Sequence, residues 1–134
     1  MPYDVVRAGE AAWEAREPLH GQPPRHQASV TDAAGLTESR ARLWRYPARS
    51  RGRRHADRGQ EEVFVPLQGT LTLLVEEPPR RVDLERGDVL AVHAGTPLQA
   101  RNESDEEILF FVYGAPPVSG NAEFLDDVED APPA

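Results

Sequence analysis

Proline and glycine interrupt this chain so often that long regular elements have little room. The 134 residues include 13 Pro and 10 Gly; proline breaks the interior of a helix, and glycine weakens helices and strands alike. Near the N-terminus, residues 9–16 favour a helix that ends before Pro18, and residues 1–8 favour an edge strand. The remainder is expected to form short strands joined by turns.

Eight further stretches have the apolar and β-branched composition that is typical of strands, and turn signals separate them. These stretches are residues 26–32, 37–46, 61–67, 70–76, 80–84, 88–93, 97–101 and 106–113. Strands at a spacing of roughly ten residues, with no long helix between them, are typical of an antiparallel sandwich or barrel. The sequence therefore predicts an all-β fold.

Two of these strands are apolar on both faces. In residues 61–67, Val63 and Val65 alternate with Phe64 and Pro66, and residues 106–113 follow a similar pattern. A strand of this kind is expected to be covered on both sides, by a second sheet or by a second subunit. Because Pro66 has no backbone N–H to donate, we expect it at a sheet edge or a bulge.

Composition narrows the classes of function. The chain has no cysteine, which excludes disulfides, zinc–thiolate sites and a cysteine nucleophile. A net charge of −8 argues against nucleic acid as a partner. No apolar run approaches the ~20 residues that cross a bilayer, and no secretory signal is recognised, so we expect a cytoplasmic protein without a membrane partner.

The positive charge is concentrated in one segment. Eight of the 15 Arg lie in residues 40–58, where Asp57 is the only acid. Three interpretations are open: the segment binds nucleic acid, it attracts an anionic ligand to the mouth of the barrel, or it pairs with acidic residues of this chain or of a partner. The last residues, 116–134, form an acidic tail that is expected to extend into solvent.

Three side chains near the middle of the chain form a candidate metal site. On a strand, His55 and Asp57 would project from one face, and a strand pairing back across residues 58–61 would bring Glu62 beside them. One imidazole and two carboxylates inside an apolar barrel need a counter-charge, and a divalent cation supplies one.

The spacing around these residues resembles the two sequence motifs of the cupin family. The first motif reads His55-Ala56-Asp57, four residues, Glu62, six residues and Gly69. The second reads Gly87, five residues, His93-Ala94-Gly95, two residues, Leu98, three residues and Asn102. The resemblance covers residues 40–113. It implies a single-domain double-stranded β-helix, the cupin jelly-roll barrel, and a homodimer.

The departures from the family pattern bear on the metal. Cupin metals are held by two His and a Glu of the first motif and one His of the second, and these positions are His55, Asp57, Glu62 and Leu98 here. Asp57 can still bind a metal, but Leu98 cannot. The resemblance therefore implies a divalent metal (Mn, Fe, Ni, Co or Zn) that is bound weakly or not at all. The alternative is a metal-free barrel in which Asp57 pairs with an Arg and Glu62 is hydrogen-bonded inside.

The resemblance also implies a ligand pocket in the barrel. Its expected lining is Phe64, His93, Leu98 and Ala100. His93 takes the proline position of the second motif and has a second interpretation as a surface histidine at a turn. Within one domain, we expect an N-terminal arm with the first strands (1–36), a barrel core (37–115) and the acidic tail (116–134).

Three classes of function remain open at this point. The first is a cupin that binds a small polar or anionic metabolite in its barrel. The second is a metal-dependent enzyme of dioxygenase, isomerase or decarboxylase type, in which the position of Leu98 admits substrate. The third is a non-catalytic interaction or sensor protein that works through its Arg-rich surface. The sequence leaves open whether the chain is an enzyme.

Overall fold

The computed structural model describes residues 2–118 and 120–134, which are built mainly from antiparallel strands. The strands are β1 (Glu14–Ala15), β2 (His26–Ser29), β3 (Arg40–Tyr46), β4 (Ser50–Arg51), β5 (His55–Asp57), β6 (Glu61–Gln68), β7 (Leu71–Val75), β8 (Arg80–Leu84), β9 (Leu90–Val92), β10 (Pro97–Asn102), β11 (Ile108–Ala115) and β12 (Ala122–Phe124). The helical segments in the described residues are a 3-10 turn, Ala8–Glu10, and α1 (Val30–Ala34). Neither is long and apolar enough to cross a membrane.

Two sheets enclose the core. One has the strand order β1-β2-β3-β11-β6-β9 and the other β12-β5-β10-β7-β8, with β4 also paired to β10. Strands that are remote in sequence lie side by side, as β3 and β11 do over seven residue pairs. This crossing of the chain from sheet to sheet is the double-stranded β-helix, so the predicted all-β jelly-roll barrel is confirmed.

Alternation along the strands decides which side chains enter the barrel. On β6, Glu62, Phe64 and Pro66 are buried, while Leu67 on the opposite face is 42% exposed. On β11, Phe110 and Val112 face inward, and Tyr113 is 41% exposed. The core joins these to side chains of the second sheet, including Leu71, Leu73 and Leu98.

The predicted turns and the predicted irregularity at Pro66 are both present. Gly69, Gly87 and Gly95 all have positive φ angles, which glycine adopts without strain. Gly69 is also constrained by space, because a Cβ there would lie 2.5 Å from Cγ2 of Ile108. The pairing of β6 with β11 shifts register between Leu109 and Phe110, directly opposite Pro66, so the proline sits at a bulge.

The N-terminal prediction is wrong. Residues 9–16 form no α-helix; the segment holds part of the 3-10 turn and β1, which pairs with β2. Eight residues are too few for a helix to be stable without tertiary support, and here the tertiary contacts favour a strand: the Trp13 ring lies 4.2 Å from the Arg45 guanidinium. Residues 2–8 form no strand, and Met1, which belonged to the same prediction, lies outside the described residues.

The C-terminal segment, residues 120–134, is held to the barrel rather than extending freely into solvent. Strand β12 pairs with β5, and Leu125 N donates to the carbonyl of Arg54. Further along, Arg101 donates to the carbonyls of Val128 and Glu129. Ser119 of the predicted tail lies outside the described residues, and the division of the chain at residues 36/37 and 115/116 stays a prediction.

Candidate functional site

The inner faces of β3, β5, β6, β10 and β11 surround one cavity of about 290 Å³. Four arginines line it: Arg16, Arg25, Arg42 and Arg53. Among the described lining residues, Glu17 has the one carboxylate. Its aromatic lining residues are Trp44, Tyr46, Phe64, Phe110 and Phe124. The cavity is therefore apolar in its walls and positive at several points.

Arg42 on the cavity lining forms an ion pair with Glu62, which is not itself among the lining residues. The side chains are 22% and 4% exposed, and Nη2 of Arg42 lies 3.4 Å from Oε2 of Glu62. This hydrogen bond is longer than the usual 2.7–3.2 Å. Nε of Arg42 is buried without a hydrogen-bond partner among the described residues. Glu62 thus satisfies only part of the donor capacity of the guanidinium.

Burial and the neighbouring charges perturb both groups. Burial raises the pKa of Glu62; Arg42 and His55 act in the opposite direction, and Asp57 adds to the rise. Burial lowers the pKa of Arg42, and Glu62 offsets part of that effect. The geometry that underlies these effects is the Arg42–Glu62 ion pair, which puts a cation beside one of the side chains proposed as metal ligands.

The predicted metal ligands are only partly brought together. His55 lines the cavity, and its Nδ1 lies 2.9 Å from the carbonyl of Arg53. Oδ1 of Asp57 accepts a bond from Gly59 N at 3.3 Å, and Glu62 is engaged with Arg42. Among the described residues, no three His, Cys, Asp or Glu side chains are grouped so that they could hold a metal ion.

The donor set does not fit a divalent metal. Leu98 pairs directly with His55 across β10 and β5, so the side chain at the missing ligand position lies beside the histidine and is apolar. The guanidinium of Arg42 already neutralises Glu62, and a divalent cation at the same carboxylate would repel it. Glu62 does have a counter-charge, but Arg42 supplies it and not a divalent cation.

Of the predicted pocket residues, three line the cavity. Phe64, Leu98 and Ala100 are buried on its walls. His93 is not among the lining residues; it follows β9 and is exposed at the turn that precedes β10. A role for His93 in the pocket stays a prediction; its observed place is that of its second interpretation, a surface histidine at a turn.

Sequence reasoning missed the contribution of β3 to the site. Arg42, Trp44 and Tyr46 alternate along this strand, so one face carries all three into the cavity. The Arg25 guanidinium lies 5.1 Å from the Trp44 ring and 5.3 Å from the Tyr46 ring, and it donates to the Tyr46 hydroxyl at 3.2 Å. The alternating Arg-x-Trp-x-Tyr pattern was the available signal.

Most of the Arg-rich segment pairs within the chain. Six of its eight Arg side chains lie within 4.0 Å of a carboxylate of the same molecule, from Arg42 with Glu62 to Arg58 with Glu123. Arg40 donates to the carbonyl of Val118, and Arg53 lies over the ring of Phe124 at 3.6 Å. This pattern favours the interpretation in which the segment is neutralised by acidic residues of the chain.

The second motif asparagine has a structural role. The side chain of Asn102 is buried, and its Nδ2 donates to the carbonyls of Tyr46, Pro47 and Glu106 at 2.7–3.1 Å. Its Oδ1 accepts from the backbone N and the hydroxyl of Ser104. Asn102 thereby ties the end of β10 to the loops beside β3 and β11.

Solved structures with the same fold have varied functions. The polyketide cyclase RemF from Streptomyces resistomycificus has a TM-score of 0.75 at 17% identity, over 94% of this chain and 87% of that one. A sugar phosphate isomerase of the cupin superfamily from Silicibacter pomeroyi has a TM-score of 0.72 at 19% identity, over 97% and 96%. A predicted oxalate decarboxylase from Thermotoga maritima has a TM-score of 0.71 at 20% identity, over 83% and 97%.

At these identities the likeness establishes the fold and no activity. No protein of curated function matches the sequence. The family model described as "Cupin domain" matches residues 42–113, which is more than half of the chain and contains both motifs. The chain belongs to the cupin family.

Proposed function

We propose that the barrel binds a small anionic metabolite without a metal, with Arg42 as the central anchor. The observation that carries this proposal is the cation-rich cavity: four guanidinium groups and one carboxylate line it, and Arg42 is only partly used by Glu62. Guanidinium groups bind carboxylates and phosphates through paired N–H donors. An anion would supply the acceptors that Arg42 lacks.

Charge balance supports the same conclusion. Glu62 is nearly fully buried, and a buried carboxylate requires a partner. In the metal-binding pattern of the family that partner is a metal cation, whereas here it is a side chain of the protein itself, Arg42. The Arg42–Glu62 pair is neutral, and Arg16, Arg25 and Arg53 against the single Glu17 leave the described lining positive for an anionic ligand without a metal.

The test is binding in the presence of a chelator. Malonate, glycerol 3-phosphate and benzoate are titrated separately into protein in EDTA buffer and followed by two-dimensional NMR. We expect at least one to bind, and we expect Arg42→Gln to weaken that binding about 10- to 100-fold, the worth of a hydrogen bond to a charged group. Arg86→Gln, an equal charge change at an exposed turn, is the control.

Two results would contradict the proposal. One is an absence of binding by all three anions in EDTA, followed by binding when Mn, Fe, Ni, Co or Zn is added. The other is an equal loss of affinity in Arg42→Gln and Arg86→Gln, which would reflect net charge and not a site.

A catalytic role is the second candidate, and Glu62 is the residue that favours it. A buried carboxyl group with a raised pKa is suited to accept and return a proton, and structural neighbours include proteins named as an isomerase and a predicted decarboxylase. The metal-dependent form has less support because Leu98 offers no ligand. Elemental analysis of protein purified without a metal-affinity tag separates the metal enzyme from the binding protein.

We also propose that the chain forms a homodimer through the outer face of the sheet that contains β6 and β11. Register places Val63 beside Tyr113 and Val65 beside Phe111 on that face, and Leu67 and Tyr113 are each about two-fifths exposed. A stable dimer is expected to bury more than about 1,000 Å². Light scattering at micromolar concentration should give twice the 14.8 kDa of the chain; a monomer mass would contradict this proposal and leave the ligand site unaffected.

The third class, an interaction protein that works through its Arg-rich surface, has less support, since acidic residues of the same molecule occupy most of that surface. Arg53→Glu combined with Arg54→Glu would abolish a partner complex if that class were correct. The cytoplasmic location expected from the sequence stays a prediction.

A further inference from the structure

The cavity concentrates the aromatic residues of the chain. The sequence contains 2 Trp, 3 Tyr and 4 Phe. Five of these nine side chains line this one cavity, contributed by β3, β6, β11 and β12. Aromatic walls favour a flat ring, which gains from edge-to-face or offset stacking as well as from burial. The aromatic walls therefore favour a flat, apolar ring in the ligand. This preference is independent of the preference for an anion that Arg42 provides.

The guanidinium groups lie beside these rings. Arg25 lies against Trp44 and Tyr46, and Arg53 lies 3.6 Å over the ring of Phe124. A guanidinium stacked on a ring keeps its N–H donors in its own plane, where they point to the side and can meet an acceptor. The site thus presents aromatic surface and charge-assisted donors next to one another, which suits a flat ring with an anionic group on its edge.

The neutral polar groups that a sugar would need are scarce. Among the described lining residues there is no Ser, Thr, Asn or Gln, and the Tyr46 hydroxyl already accepts from Arg25. Sugar hydroxyls buried without hydrogen-bond partners are costly, at about 1–3 kcal/mol each in proteins. The lining therefore disfavours a sugar phosphate, although a protein with this fold is named as a sugar phosphate isomerase.

We propose that the ligand is an aromatic carboxylate of one or two rings, with the carboxylate at Arg42 and the ring between the aromatic walls. This proposal rests on the anion site proposed above and names its ligand class. The volume of about 290 Å³ lies at the lower limit of the roughly 300–1,000 Å³ typical of ligand sites, which favours one or two rings over larger ring systems.

Phe124 gives this proposal a separable test. It comes from β12, at the edge of the second sheet, and is 56% exposed at the cavity, with its ring centroid 6.5 Å from that of His55. Because it carries no charge and is not part of the core, its removal should reduce the preference for a ring without removing anion binding. Tyr3, which is 65% exposed and does not line the cavity, provides a matched aromatic control.

The experiment compares three probes by NMR titration in EDTA buffer: 2-naphthoate, its saturated analogue decahydro-2-naphthoate, and the neutral 2-naphthalenemethanol. We expect 2-naphthoate to bind about tenfold more tightly than the saturated acid, the upper range for aromatic contacts, and more tightly than the alcohol. Phe124→Ala should reduce the advantage over the saturated acid about threefold or more, and Tyr3→Ala should leave it unchanged.

The outcomes separate the two proposals. Equal affinities for the aromatic and the saturated acid would overturn the aromatic ligand class and leave the anion site standing. Tighter binding of the alcohol than of 2-naphthoate would overturn both. The third outcome concerns the ratio of the affinities for 2-naphthoate and the saturated acid. If this ratio is the same in Phe124→Ala, Tyr3→Ala and the wild-type protein, the placement of the ring against Phe124 is overturned. One-dimensional spectra of each variant establish that it is folded before it is titrated.

Discussion

Removing the charge of Arg42 tests the central claim about the site, namely that this guanidinium stabilises the buried Glu62. In Arg42→Met the carboxylate keeps its position with 4% exposure and loses its ion-pair partner. Breaking a buried pair in this way typically costs about 3–5 kcal/mol. Because the Arg42 side chain is 22% exposed at the cavity, we take the lower limit and expect a loss of about 3 kcal/mol.

This loss converts to a measurable shift in melting temperature. The entropy of unfolding is about 2.1 cal/mol/K per residue, which gives about 0.28 kcal/mol/K for a chain of this length. A loss of about 3 kcal/mol therefore lowers Tm by about 10 °C at pH 7. Differential scanning calorimetry measures the shift, and urea denaturation measures the free energy of unfolding independently.

Two further variants establish the cause. Arg45→Met removes an Arg from the same strand whose nearest carboxylate, on Glu107, is 57% exposed and 3.9 Å away, so it should cost less than about 1 kcal/mol. Arg42→Met combined with Glu62→Met replaces the whole pair by apolar side chains, which is often close to neutral. The double variant should therefore be more stable than Arg42→Met.

The pH dependence gives the refuting result. In Arg42→Met, Glu62 has lost the cation that favours its ionised form, so lowering the pH neutralises the orphaned carboxylate and the cost of the substitution falls. If Arg42→Met is equally destabilised at pH 4 and pH 7, or if the double variant is less stable than Arg42→Met, the stabilisation of Glu62 by Arg42 is refuted.

Three other predictions follow from the same geometry. Leu98→His should raise zinc affinity, measured by calorimetric titration, and Leu98→His with Arg42→Met should raise it further, since the guanidinium no longer repels the ion. Asn102→Ala should cost about 3 kcal/mol of unfolding free energy in urea, because three backbone carbonyls lose their donor. Burial raises the pKa of Glu62, so its contribution to stability is greatest below about pH 4.5 and declines as the pH rises through the raised pKa; Glu62→Gln should lack this decline in denaturation curves measured from pH 4 to pH 8.

The barrel could be predicted from sequence because its signals are local. All eight strands expected from residue 26 onward are present, with ends that differ by a few residues, and the three motif glycines have the positive φ angles that their turns require. What failed was the N-terminal segment around Trp13. Its helical composition was overridden by pairing with β2, a contact between residues more than ten apart in sequence.

The C-terminal segment shows why a charge pattern alone misled. A run of acidic residues predicts solvation when the partners are unknown, but Asp127 lies 2.7 Å from Arg51 and accepts from Gln99 at 2.6 Å. Arg101 binds the carbonyls of Val128 and Glu129. These contacts join residues at least 27 apart in sequence. The net charge of the segment does not identify these partners. The position of the segment therefore follows from the three-dimensional fold and could not be predicted from the sequence.

The parts of the site that belong to a sequence motif could be predicted. The counter-charge of Glu62 could not, because Arg42 lies on a different strand, β3. The two motifs assigned His55 and Leu98 to one site in the barrel; both line the cavity, and they are paired across β5 and β10. The motifs begin after β3, so they carry no information about Arg42. Yet the loss of a ligand at Leu98 leaves the charge of Glu62 to be balanced, and burial makes that balance obligatory. A cation from the chain can replace the ion as a counter-charge, but it cannot coordinate substrate at an open metal position. It offers directed N–H donors instead, and this is the ground on which we propose recognition of an anion in place of metal coordination.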